Sequence, residues 1–170
     1  MKKIAFILSC LLLMGVAVNA QRYAVIDSRY ILEKLPEYKE SQTKLDQFSN
    51  QWQTEIEKKQ ADLDRMYKDY DAEQVMLTDE LKRKRQDELY NREKEVRDLQ
   101  KKRFGFEGDL FRKRQELIKP IQDKVYIAIQ KLAVERSYDF ILDKSEGITV
   151  IFADPKLDRS DDVLKFLGVK

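Results

Sequence analysis

Residues 37 to 119 repeat charge and hydrophobicity at helical spacing, with no proline inside the stretch and no glycine before Gly105. Leu45, Trp52 and Met66 fall on one seven-residue series, and Ile56, Leu63, Tyr70 and Leu77 fall on a second offset by four. Such a stripe buries itself against a second helix of the same kind. The second half of the stretch supplies one: Leu89, Val96, Leu110 and Leu117 share a series, joined by Leu99 and Phe106. The pattern predicts a long antiparallel coiled-coil helical hairpin.

In an antiparallel pair, facing residues have sequence numbers with a constant sum. Leu45 with Phe106, Trp52 with Leu99, and Tyr70 with Leu81 give 151; Phe48 with Phe104, Ile56 with Val96, and Leu63 with Leu89 give 152. The centre falls near residue 76 and the tip near 72–79. Thr78 stands there as an N-cap ahead of Asp79 and Glu80, acidic residues that suit the positive end of a helix dipole. Arms of about 40 residues reach about 60 Å at roughly 1.5 Å per residue, so the hairpin is expected to project from a separate body. Residues 37–77 carry 6 basic and 10 acidic side chains and residues 78–119 carry 14 and 10, so the arms attract one another.

Lys2 and Lys3 precede an apolar run, Ile4 to Val18, that ends in Val18-Asn19-Ala20. This is the layout of a secretory signal peptide, residues 1–20, cleaved after Ala20; the alternative is a lipoprotein signal with Cys10 acylated. Cleavage leaves 150 residues without cysteine, and the chain contains no histidine. Disulfides, thiol chemistry, Ser-His and Cys-His nucleophiles and the commonest zinc ligand are thereby excluded. No glycine-rich phosphate loop is present, since Gly105 and Gly108 lack a following Lys-Ser or Lys-Thr. The reading is of a protein that is not an enzyme and needs no cofactor. Removing Lys2 and Lys3 from 33 basic residues leaves 31, matching the 31 acidic ones, and a balanced chain has no net field for nucleic acid.

Outside the hairpin, residues 23–27 form a β-prone run, and residues 28–35 make one or two helical turns before Pro36. Pro120 is read as a kink in a helix that continues to about Arg136. Residues 138–143 and 148–152 are two further β-prone runs that predict a strand hairpin. A last helix fits 160–167, with Ser160 as N-cap and Gly168 as C-cap. The fold class is therefore α+β, mostly α: a hairpin tentacle over 37–119 and a small α/β oligomerisation body from 21–36 and 120–170. A body this small is marginal alone and leaves sheet edges open, which points to an obligate homo-oligomer.

The signal segment, the strand Tyr23 to Asp27, the charged hairpin, the run Tyr138-Asp139-Phe140-Ile141-Leu142-Asp143, then Ala153-Asp154-Pro155 and Asp161 to Gly168 together resemble the Skp/OmpH family of periplasmic chaperones. The resemblance covers the whole mature chain and is most specific over residues 115–168. It implies a homotrimer whose helical tentacles enclose a cavity. It further implies an ATP-independent holdase in the periplasm that keeps unfolded outer-membrane proteins soluble. A structural coiled-coil scaffold of the cell envelope with one specific partner is the alternative.

Within that frame some residues stand out. Tyr67, Tyr90 and Phe111 lie off the paired series, and Met66 faces Arg85 by the constant sum; these side chains are either tucked against a neighbouring helix or free to touch unfolded clients. Lys82, Arg83, Lys84 and Arg85 form a basic cluster just beyond the tip, either a solvated face or a contact for an acidic partner or lipid head groups, a peripheral membrane contact. Gly105 and Gly108 each cost about 1 kcal/mol relative to alanine in a helix interior. They either let the second arm bend or admit a close neighbour.

Overall fold

The structure is a computed structural model describing residues 21–147 and 150–169. The signal-like segment with Cys10 and Ala20, and the pair Ile148-Thr149, lie outside the described residues. The elements are β1 (Tyr23–Ile26), α1 (Ser28–Lys34), α2 (Pro36–Glu73), α3 (Asp79–Phe104), α4 (Asp109–Leu117), α5 (Lys119–Arg136), β2 (Phe140–Asp143), a 3-10 turn (Pro155–Leu157) and α6 (Ser160–Phe166). The described residues form two compact units, one comprising those up to Ile31 and from Ile127 onward, the other Leu32–Tyr126.

The larger unit is the hairpin. Helix α2 runs 38 residues, about 57 Å at roughly 1.5 Å per residue. It starts at Pro36, where a missing N–H leaves no helical bond unmade. After the turn, the Thr78 hydroxyl accepts the Leu81 N–H and caps α3, whose first turn carries Asp79 and Glu80. Helix α2 packs against both α3 and α4. The stripe found in the sequence is the buried one: Leu45, Trp52, Ile56, Leu63, Leu89 and Val96 are all buried.

The register differs from the sequence expectation. Trp52 meets Phe104 and Tyr70 bonds Gln86, both summing to 156, while Glu55–Arg103 and Glu73–Arg85 sum to 158. The offset from 151–152 is about one helical turn, so Phe104 packs on Trp52 rather than facing Phe48, and Leu81 is exposed instead of lying on Tyr70. A heptad stripe fits itself nearly as well one turn along, so apolar spacing alone does not choose between the two registers.

The expected pairing of Leu45 with Phe106 is also absent, because Phe106 is fully exposed. The helix stops at Phe104 and restarts at Asp109. Below this interruption the facing sums rise to 161, for Phe48–Lys113 and Glu37–Lys124, since the non-helical residues add chain without adding helical rise. A second interruption of one residue, Ile118, separates α4 from α5 and leaves Pro120 in the first turn of α5. Ile118 keeps right-handed helical backbone, and its carbonyl accepts the Ile121 and Gln122 N–H groups, so the helical path runs on through the break at Pro120, whose missing N–H leaves one bond of the preceding turn unmade.

In the smaller unit β1 lies between two neighbours. On one side β2 pairs with it in parallel, from Tyr23 opposite Phe140 to Ile26 opposite Asp143. On the other, Asp158 bridges to Val25, and the Val25 carbonyl accepts the Arg159 N–H at 2.8 Å. Ala24, Val25, Ile26, Ile31, Leu132, Val163 and Leu164 are buried. The expected strand hairpin is therefore corrected: β2 pairs with the distant β1, and residues 150–152 are not a strand. The Asp143 carboxylate closes β2 by accepting the Ser28 and Ser145 N–H groups.

The N-cap expected at Ser160 is likewise corrected. Its hydroxyl accepts the Asp27 N–H at 2.8 Å and donates to Asp158 at 2.6 Å, tying β1 to the turn before α6. Gly168 ends the helix at φ 76°, where the Val169 N–H reaches the Leu164 carbonyl, as a left-handed C-terminal residue allows.

Candidate functional site

The hairpin surface holds the candidate residues. Between its arms Ile56, Leu63, Leu89 and Val96 form the seam, with Met66, Tyr70, Leu99 and Phe104 packed against it. Met66 therefore belongs to the seam, which the shifted register brings over it. Tyr67 and Phe111 are partly exposed and Tyr90 is 61% exposed; the Tyr67 hydroxyl lies 3.5 Å from Glu93. These rings stand on separate turns amid charge and converge on no common pocket.

At the tip, Val75 and Met76 are exposed, and Leu81 stands beside the basic run. Arg85 leaves that run to contact Glu73 and Glu88 at 3.5 and 3.4 Å. Lys82 is half-buried, and Arg83 and Lys84 are exposed.

Near Trp52 the arm is locked. Phe48 stacks on Trp52 at 5.6 Å and Phe104 meets it edge-on at 6.5 Å. The Arg103 guanidinium lies 5.1 Å from the Trp52 ring centre and bonds Asp109 at 2.7 Å and Glu55 at 3.0 Å. The Asp109 bond, opposed by some desolvation and supported by Glu55, raises the Arg103 pKa. One side chain thus joins α2, α3 and α4. Sequence reasoning missed Arg103, because its three partners lie on two other helices.

Gly105 and Gly108 flank the interruption, both with extended backbone. A Cβ on Gly105 would stand 2.3 Å from the Lys101 carbonyl oxygen, and one on Gly108 would stand 2.8 Å from that of Lys102. The close neighbour is thus the last turn of the arm's own helix. Glu107 between them takes φ 52°, uncommon outside glycine.

The smaller unit holds a polar cavity of about 410 Å³ lined by Asp27, Tyr30, Lys144, Pro155, Asp158, Ser160 and Asp161. Its polar side chains bond one another, with three carboxylates against the single cation Lys144. Lys144 bonds Asp158 at 2.6 Å, and the Tyr30 hydroxyl donates to Asp161. Burial pushes the Asp158 pKa up, but the bonds from Lys144 and Ser160 outweigh it and the net shift is down.

A long charged helical hairpin with a small parallel β-pair defines a mostly helical α+β protein with an arm-like surface and no enclosed catalytic centre among the described residues. Residues 22–167 match the sequence pattern of the outer membrane protein (OmpH-like) family, and the chain belongs to that family. No curated protein sequence matches it. Among solved structures, it is similar to one from Caulobacter crescentus assigned as an OmpH-like outer membrane chaperone. That match has a TM-score of 0.67 and 16% identity, and covers 87% of this chain and 84% of the other; at that identity it speaks to the fold.

Proposed function

We propose that this protein is an ATP-independent holdase chaperone of the periplasm that binds unfolded outer-membrane proteins and keeps them from aggregating. The observation that carries the reading is the hairpin surface. Its seam consumes most apolar side chains, leaving Tyr67, Tyr90, Phe106 and Phe111 as separate exposed rings among charges. Each ring is a weak contact, and many together hold a flexible chain by avidity. Family membership and the chaperone assignment of the Caulobacter relative support the same reading.

In this proposal residues 1–20 are a signal peptide cleaved after Ala20, residues 37–119 act as a tentacle, and 21–36 with 120–170 assemble a homotrimer whose tentacles enclose the client. Apolar surface in the smaller unit supports assembly: Tyr23 and Phe140 stack at 5.7 Å while partly exposed, and Ile151 and Phe152 are almost fully exposed. The basic tip, Lys82 to Arg85, is proposed to face acidic partners or lipid head groups, and the interruption at Gly105 and Gly108 to let the arm bend.

The test is aggregation of several unrelated urea-unfolded outer-membrane barrels, diluted into buffer with stoichiometric mature protein and no nucleotide. Suppression of light scattering for all of them is expected. Binding of a single folded partner, with no suppression, would instead establish a scaffold.

A further inference from the structure

The interruption in the second arm is a built element, and its one large apolar side chain has no role in holding it together. Gly105 donates to the Lys101 carbonyl at 2.8 Å, Gly108 donates to the Gly105 carbonyl at 2.9 Å, and Arg112 Nε donates to the Glu107 carbonyl at 3.2 Å. Arg103 pins the far side through Asp109. Glu107 is held in the left-handed region, and both glycines occupy places a Cβ would overfill. Amid this network Phe106 is 97% exposed. A phenylalanine in a loop ordinarily turns inward; here a costly backbone holds it outward, and unusual backbone clusters where it serves a task.

We infer that Phe106 is an anchor for unfolded client chains, displayed by the Gly105–Gly108 elbow, and that it favours segments in which aromatic and acidic residues stand close together. The occupant follows from size and charge. A single ring offers at most about 200 Å², far below the roughly 1,200 Å² of a stable interface between folded surfaces, so on its own Phe106 suits a partner held by many separate contacts better than a folded face. A flexible chain making several such contacts is that kind of partner. The flanking positions Lys101, Lys102, Arg112 and Arg114 are exposed bases against a single exposed acid, Glu107. An acidic residue beside a client aromatic therefore suits the excess of exposed bases on the chain either side of Phe106.

This inference rests on the holdase reading and deepens it. The test uses the mature protein with a photo-crosslinking phenylalanine analogue at position 106, and separately Phe106→Ala, against a urea-unfolded outer-membrane barrel. Crosslinks to the barrel are expected, with affinity for it weakened about three- to tenfold in Phe106→Ala and the thermal midpoint unchanged. Peptides pairing Trp or Tyr with Asp should compete better than the same peptides with Lys. If wild type suppresses aggregation but position 106 crosslinks only to another copy, or to nothing, and Phe106→Ala binds as well as wild type, the anchor is wrong and the holdase reading stands. If wild type suppresses nothing, the holdase reading itself fails.

Discussion

Replacing Gly105 by alanine separates two accounts of the second arm by the sign of its effect. In an unbroken helix the substitution would stabilise by about 1 kcal/mol, the propensity difference between the two residues. In the structure the new Cβ would sit 2.3 Å from the Lys101 carbonyl oxygen and 3.1 Å from its carbon. That oxygen is backbone and accepts the Gly105 N–H at 2.8 Å, so relief requires opening the bond that ends α3. Losing it costs about 1 kcal/mol, and residual crowding adds about 1–3 kcal/mol, a destabilisation of about 2–4 kcal/mol. Trp52, the only tryptophan, lies against Phe104 one residue before the glycine. Urea unfolding followed by tryptophan emission and by circular dichroism at 222 nm would report the change beside the site and across the arm. A Gly105→Ala protein as stable as wild type, or more so, would refute the elbow and restore a continuous helix.

Arg103→Ala removes two ion-pair bonds and the contact with Trp52, and leaves Asp109, 19% exposed, without its cation. After a discount for the more exposed Glu55, a loss of about 2 kcal/mol is expected in the same urea titration, with a shift in tryptophan emission. In the smaller unit, Asp143 and Asp158 have pKa values lowered by Ser28 and Ser145, and by Lys144 and Ser160, against the upward push of burial. Because the folded values lie below the unfolded ones, this contribution is complete above about pH 4 and fades as pH falls through the folded values. Thermal midpoints between pH 2 and 6 should drop at the acid end, and less steeply for Asp158→Asn.

How much was legible depended on how far apart the interacting residues lie in the chain. The buried faces of α2 and α3 were readable, because Ile56, Leu63, Leu89 and Val96 announce themselves by spacing within their own helices. The Thr78 cap was readable for the same reason. Phe106 and Phe104 looked like seam residues because the periodicity passes through Gly105 without a break. Two glycines in a charged helix can bend it, pack a neighbour or end it, and the close approach of the Lys101 and Lys102 carbonyls is not written in their spacing. Met66 looked free of the seam only because the register had been set one turn away.

The amino-acid sequence by itself determined that this chain makes long charged helices with one apolar stripe each, since helical periodicity is a local property. Tertiary structure alone decided which residues meet across the stripe, because neighbouring registers bury nearly the same apolar surface. It also decided that β2 pairs with β1 across more than a hundred residues rather than with the β-prone run next to it. Strand pairing is a relation between two edges, and neither segment encodes its partner's position.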